Sequence, residues 1–225
     1  MELSVFDLSK QLGVAQDTIE RWVRQGKLPV FKKGINYKFD TKELKKWASN
    51  HNIKLKFSDK TDLPQKQEQS IIPLSVAVQN GGVYFDIQGH DVNSVLKASI
   101  EKISKIPETF KTDLLDRLIE REKALSTGIG NGIAIPHPRE QLSYLESPLV
   151  SVCFLDQPVD YKALDNKSVS VLFFILCPAL KMHLHLLSAL SFCLRDHQFI
   201  DFLKLKPDFA ALVKKIEIIQ KTNPI

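Results

Sequence analysis

Residues Leu125 to Arg139 read LSTGIGNGIAIPHPR, and no other stretch limits the fold as tightly. Glycine at positions 128, 130 and 132 removes side chains that a helix would need and adds backbone freedom that a helix must suppress. The run then turns apolar at Ile133–Ile135 and ends on His137, fixed between Pro136 and Pro138. Proline holds its own φ and pushes the preceding residue into extended backbone, so this segment reads as a glycine-rich loop feeding a short strand. A core strand has no need of such an ending. A reactive imidazole at the mouth of a site does.

The sequence around this segment alternates between strand and helix patterns. Val83–Ile87 reads as a strand, and Gly89 and Asp91 open a helix expected to run to about Ile106. A second helix starts at or beside Pro107 and ends near Lys123. Ile133–Ile135, Leu149–Leu155 and Ser168–Cys177 are short apolar strands rich in Val, Ile and Phe. Leu180–Arg195 reads as helical, with a last helix from about Pro207 to Ile219. Strands alternating with helices predict an α/β domain, a mixed central sheet with helices on both faces.

Upstream, FSDKTDLPQKQEQSII (57–72) is polar and Gln-rich, is broken by Pro64 and has no sustained apolar period, which is linker composition. The expected organisation is therefore an N-terminal module at 1–57, a linker at 58–71 and the α/β domain at 72–225. In the first module Val5, Leu8 and Leu12 recur at helical spacing and Gly13 ends the run. Asp17–Gln25 then places Ile19, Trp22 and Val23 on one face, with Glu20, Arg21 and Arg24 on the other. Leu28–Phe39 reads as a two-strand ribbon turned at Lys33-Gly34, and Asp40 or Thr41 caps a third helix that carries Leu44 and Trp47 inward.

Charge separates the same two parts. The chain has 31 Lys and Arg against 26 Asp and Glu; residues 1–60 hold 13 against 7, and the other 165 residues hold 18 against 19. The basic excess sits in the first quarter, which suits a polyanion partner for that part alone. Two short helices joined at a glycine, the second carrying arginines, follow helix-turn-helix logic. Gln16, Thr18, Arg21 and Arg24 are the candidate DNA contacts on that helix, with Lys27 at the hinge and Lys32, Lys33 and Lys38 on the wing.

The three cysteines, Cys153, Cys177 and Cys193, lie apart among apolar residues and read as buried free thiols. The amino terminus MELSVFDLSK has no basic segment followed by an apolar one, and the longest apolar run, Val169–Leu180, is too short to span a bilayer. A cytoplasmic protein without membrane insertion is expected.

The loop STGIGNG is followed by no Lys-Ser/Thr, and its glycines alternate rather than spelling GxGxxG, so neither nucleotide fingerprint is present. His183 and His185 are two apart and no HExxH occurs, so metal binding lacks ligand spacing. A histidine in isolation reads first as structural. The loop, the proline clamp and nearby arginines shift His137 towards use as a nucleophile that accepts a phosphoryl group. Backbone N–H groups of the loop, the Thr127 hydroxyl, Arg121 or Arg139, and His183 are the candidate stabilisers of the transferring charge. No cofactor is expected.

Two resemblances extend these readings. LSKQLGVAQDTIERWVRQGKLPVFKKGINYKFDTKELKKW resembles the excisionase/MerR-type winged helix-turn-helix family over about residues 3–49, through its G-V turn, I-x-R-W helix, G-x-L-P and basic hairpin. This implies a specific DNA site, usually read by a dimer. REKALSTGIGNGIAIPHPR (121–139) resembles the signature of type-2 EIIA domains of the bacterial phosphotransferase system, the mannitol/fructose-type and nitrogen-regulatory proteins. KMHLHLLSAL (181–190) resembles that family's second histidine helix, and the similarity spans about residues 72–220.

The second resemblance implies that His137 is phosphorylated by an HPr-type phosphocarrier, with Arg121 beside the phosphoryl group and His183 as the second active-site histidine. His185 would be turned about 200° away on a helix. The family usually reads I-P-H-G-K; Pro138 here removes one N–H next to the histidine, and Arg139 keeps the positive charge. Joined, the halves imply a regulator that couples phosphorylation to transcription. The alternatives are an EIIA component passing its phosphoryl group to a separate EIIB or permease, and a module whose phosphorylation gates binding to a regulated enzyme.

Overall fold

The computed structural model describes residues 2–12, 14, 16–33, 36–50, 72–142 and 144–222. The expected linker at 58–71, the Lys33-Gly34 turn and His51 lie outside the described residues, as do the side chains of Lys32 and Lys33.

The N-terminal module begins with a strand that the sequence pattern did not signal, β1 (Glu2–Ser4), followed by α1 (Val5–Leu12) and α2 (Gln16–Arg24). Ser4 and Asp7 form a reciprocal cap on α1: the Asp7 N–H donates to Ser4 Oγ (3.1 Å) and the Ser4 N–H to Asp7 Oδ2 (3.0 Å). The ribbon is β2 (Phe31–Lys33) and β3 (Asn36–Asp40), and β1 adds to its other edge, giving a three-stranded antiparallel sheet in the order β1-β3-β2. Asp40 caps the third helix, α3 (Thr41–Asn50), by accepting from the N–H groups of Lys42 (2.8 Å) and Glu43 (3.2 Å). Leu8, Ile19, Trp22, Phe39 and Leu44 fill its core.

The α/β domain starts with a helix absent from the sequence reading, α4 (Leu74–Gly81), followed by β4 (Val83–Ile87), α5 (Val92–Lys102) and α6 (Glu108–Ala124). Then come β5 (Gly128–Gly130), β6 (Ile133–Ala134), β7 (Leu149–Val159), β8 (Val169–Leu176), α7 (Leu180–Cys193), α8 (His197–Lys204) and α9 (Phe209–Thr222). Helix α5 stops at Lys102, short of Ile106, and α8 was not foreseen.

The sheet order is β4-β7-β8-β6-β5, with β4 parallel to β7, β7 antiparallel to β8, β6 parallel to β8 and β5 antiparallel to β6. The period-two geometry of a strand sends alternate residues to opposite faces. In β8, Leu172, Phe174 and Leu176 enter the core under α5 and α6, while Val171, Phe173 and Ile175 enter the core under α4, α7, α8 and α9. Both faces are therefore apolar, which is why Leu149–Leu155 of β7 and most of β8 read as nearly continuous apolar runs. The mixed central sheet flanked by helices is as expected.

What read as a glycine-rich loop is a hairpin. Asn131 and Gly132 turn it with φ of 55° and 79°, the positive pair that a two-residue hairpin demands and that Asn-Gly supplies. Gly130 also has positive φ (97°), and a Cβ there would lie 3.1 Å from the Asp165 carboxylate carbon.

The first module packs on α6. Trp22 meets Phe110 edge-to-face with ring centroids 4.8 Å apart, and Phe110 stacks on Tyr144 at 4.0 Å. Through this aromatic seam the core of the first module joins the core on the α5/α6 side of the sheet.

Candidate functional site

His137 follows the end of β6 by three residues, and the buried prolines on both sides leave it little freedom. Its Nδ1 lies 2.8 Å from the carbonyl oxygen of Ile135. A carbonyl can only accept, so Nδ1 carries the proton and Nε2 keeps a free lone pair. The Ile135 N–H in turn donates to the Thr127 carbonyl (3.0 Å), which ties the histidine strand to the start of the hairpin.

Helix α7 brings the second imidazole. His183 lies in its first turn, and the His137 and His183 rings are 5.0 Å apart between centroids, tilted by 43°. His183, and not His185, makes this contact. Both rings are half-buried and both sit below their ordinary pKa of 6.5. Burial is the main cause for each. The Arg121 charge adds to it for both, and for His183 the neighbouring His137 adds more. The Ile135 hydrogen bond and the Glu122 charge pull His137 back upward. Each ring is therefore neutral at pH 7, the state in which nitrogen is nucleophilic.

The last turn of α6 supplies Arg121, which is close enough to act on both histidines electrostatically and whose Nη1 donates to the Leu125 carbonyl (2.6 Å). Arg139 is exposed and borders a small pocket shared with Pro138, Leu180 and His183. Thr127 departs from its expected role. It is buried, and its hydroxyl and N–H both donate to Glu122, at 2.6 Å each. That hydroxyl is thus committed to the α6 carboxylate and not aimed at the histidine mouth. Glu122 was missed in the sequence, although it stands beside Arg121 in the REKALST string. Asp165, also missed, accepts from the Asn131 N–H (2.9 Å) and braces the hairpin turn.

On the first module, Gln16 and Arg24 are exposed at the two ends of α2, while Thr18 is buried. Arg21 pairs with Asp113 and Asp116 of α6. Lys27 is half-buried; Lys38 is half-buried and shares a groove with Gln16, Glu20 and Tyr37. His90 and His197 are exposed.

Cys153, Cys177 and Cys193 are buried free thiols. Among the described residues no helix is long and apolar enough to cross a membrane, and no cluster of His, Cys, Asp or Glu is suited to a metal ion.

This geometry, two neutral imidazoles and a guanidinium at the end of a β-hairpin, can be set beside known proteins. Residues 77–218 match the family described as phosphoenolpyruvate-dependent sugar phosphotransferase system, EIIA 2. The chain belongs to that family. Residues 2–52 match a second family, described as a helix-turn-helix domain, so the chain joins an EIIA type-2 domain to an N-terminal helix-turn-helix. A nitrogen regulatory protein of Pseudomonas aeruginosa is 35% identical over 153 residues, covering 67% of this chain and 98% of that protein. One from Bradyrhizobium diazoefficiens is 32% identical over 126 residues, 54% of this chain and 81% of that protein. The crystal structure of nitrogen regulatory protein IIA-Ntr from Neisseria meningitidis shares the fold, with a TM-score of 0.54 at 24% identity, covering 65% of this chain and 96% of that one.

Proposed function

We propose that this EIIA-type chain is a cytoplasmic regulator, phosphorylated on His137 Nε2 by an HPr-type phosphocarrier, whose first module binds duplex DNA. The observation that carries the reading is the Nδ1 contact to the Ile135 carbonyl, since it fixes the tautomer with Nε2 free beside His183 and Arg121. In the transfer the Nε2 lone pair attacks phosphorus, the donor's P–N bond breaks, and its electron pair returns to the donor imidazole. Charge on the equatorial oxygens meets Arg121 and the His183 ring. Leu180 and Leu184, both more than half exposed beside His183, give a protein donor an apolar rim to rest on.

DNA binding is assigned to residues 1–57, joined by the linker at 58–71 to the phosphoryl acceptor at 72–225, with a dimer as the DNA-reading form. Nitrogen-linked control fits the relatives' names. Phosphorylation adds about −1.5 to −2 charges at the acceptor, enough to alter a docking equilibrium.

Incubation with phosphoenolpyruvate, enzyme I and HPr should place an acid-labile phosphate on the full chain. His137→Ala should abolish it, and His183→Ala should slow it. Label persisting on the His137→Ala protein would refute the assignment.

A further inference from the structure

One candidate DNA contact on α2 already has an acidic partner within the chain. Arg21, a candidate base or phosphate contact, reaches across to α6. One of its guanidinium nitrogens pairs with Asp113 Oδ1 and the other lies 3.3 Å from Asp116 Oδ2. Asp113 is almost wholly buried (1% side-chain exposure), whereas Arg21 remains 35% exposed. The next residue, Trp22, is buried with its ring against Phe110. The carboxylates of α6 thus occupy the position towards Arg21 that a phosphate oxygen takes in a protein–DNA contact: an anion at hydrogen-bonding distance from a guanidinium.

We propose that α6 presents an acidic and aromatic docking face, Phe110, Asp113 and Asp116, whose occupant is the α2 helix of this same chain, and that this docking excludes DNA from α2. The inference rests on the DNA-binding reading of the first module. Asp113 is built for an occupant that comes and goes. Arg117 Nε, one helical turn along, lies 2.8 Å from Asp113 Oδ2, so the buried carboxylate keeps a cationic partner when Arg21 leaves. The same helix carries Arg121 and Glu122 in its last turn, where both act electrostatically on His137. Docking and phosphoryl acceptance therefore share one rigid element.

The test uses the full chain in a Trp47→Phe background, which leaves Trp22 as the sole tryptophan of the two in the sequence. Asp116→Asn removes one charge from the contact, and Phe110→Leu loosens it with no change of charge. Glu120→Gln, an exposed position on α6, is the control for charge alone. Acrylamide quenching of Trp22 reads the docking, and anisotropy of a labelled mixed-sequence duplex at low salt reads the masking. Both contact variants should quench more readily than wild type and bind the duplex about fivefold more tightly, while the control moves neither. Unchanged quenching in both variants overturns the docking. Raised quenching with the same measurable duplex affinity as wild type overturns the masking alone. No duplex binding by any protein, with quenching raised, overturns the DNA-binding reading and the masking with it.

Discussion

Glu122 is the residue whose removal tests the site most directly, because a chain of hydrogen bonds runs from it to His137. Its carboxylate accepts from the Thr127 N–H and hydroxyl (2.6 Å each), the Thr127 carbonyl accepts from the Ile135 N–H (3.0 Å), and the Ile135 carbonyl accepts from His137 Nδ1 (2.8 Å). Glu122→Ala leaves a buried N–H and hydroxyl without their partner, at about 1–3 kcal/mol for each unsatisfied group, so a loss of about 2–6 kcal/mol is expected. Glu122→Gln keeps an acceptor for the N–H, and its amide can donate to a rotated Thr127 hydroxyl. Only the charge assistance goes, a loss of about 1 kcal/mol. The kinetic effect should follow the stability. Displacement of a reacting group by 1 Å can cost a hundredfold, so a loosened His137 strand in Glu122→Ala should slow phosphorylation by about tenfold or more, with Glu122→Gln near wild type. Losing the Glu122 charge would lower the His137 pKa further, and the ring is already neutral at pH 7, so the comparison there isolates position from protonation. Urea unfolding of the full chain and initial labelling rates from phosphorylated HPr give both numbers. Glu122→Ala within about 0.5 kcal/mol of wild type and labelled at the wild-type rate would refute the relay.

Three further outcomes are expected. His137 and His183 have folded pKa values below 6.5, so the unfolded chain binds more protons in that range: stability contributed by the neutral rings is complete above 6.5 and is lost as pH falls through 6.5 towards the folded values. Imidazole titration by NMR should place both midpoints below 6.5, and a midpoint above it for His137 would contradict the burial argument. Gly130→Ala combines a positive φ with a Cβ beside the Asp165 carboxylate and should cost about 1–3 kcal/mol, measured by urea unfolding. Burial pushes the thiols of Cys153 and Cys177 up to about 12 and that of Cys193 to about 11, so none should react with iodoacetamide at pH 8 in the folded protein and all three should react in urea.

Much of this was legible from local pattern. Helices α1, α2, α3, α6, α7 and α9 carry their own periodicity, β4 alternates, β7 and β8 stand out as apolar runs, and the PHP ending and the His183 helix sit where the residues suggested. The elements that escaped lack that signal. Strand β1 has three residues and exists because it pairs with β3 on the far side of the module. The seam that holds α4 against the sheet is equally non-local: a Cβ at Gly81 would lie 2.3 Å from the Val150 backbone. The Asn131-Gly132 turn carries a hairpin signal, but glycines at alternate positions give the segment the look of a loop. Thr127 differs from its sequence pattern for another reason. A hydroxyl next to a glycine run looks available until the partner that takes it, five residues back on α6, is seen. Arg21 is the same case across the whole chain, since only tertiary structure shows that two carboxylates far along the sequence already hold it.

The strength of that last contact decides what it can be used for. An edge-to-face aromatic pair contributes about 0.5–1.5 kcal/mol beyond its burial. An ion pair with a partly exposed arginine contributes about 0–1 kcal/mol after screening. Together, beyond what the buried apolar area adds, they favour the docked form by roughly two- to sixtyfold, since about 1.4 kcal/mol corresponds to a factor of ten. That is enough to hide α2 in the free protein and small enough for a helix making several phosphate contacts to overcome. The pair between Asp113 and Arg117 lowers the obstacle further, because opening strands no buried charge. A contact built for permanence would have buried Arg21 as deeply as Asp113, yet the guanidinium stays one-third exposed. A reversible latch requires this imbalance, and it puts the adjustable part of the molecule on α6, the helix whose other end carries Arg121 beside His137.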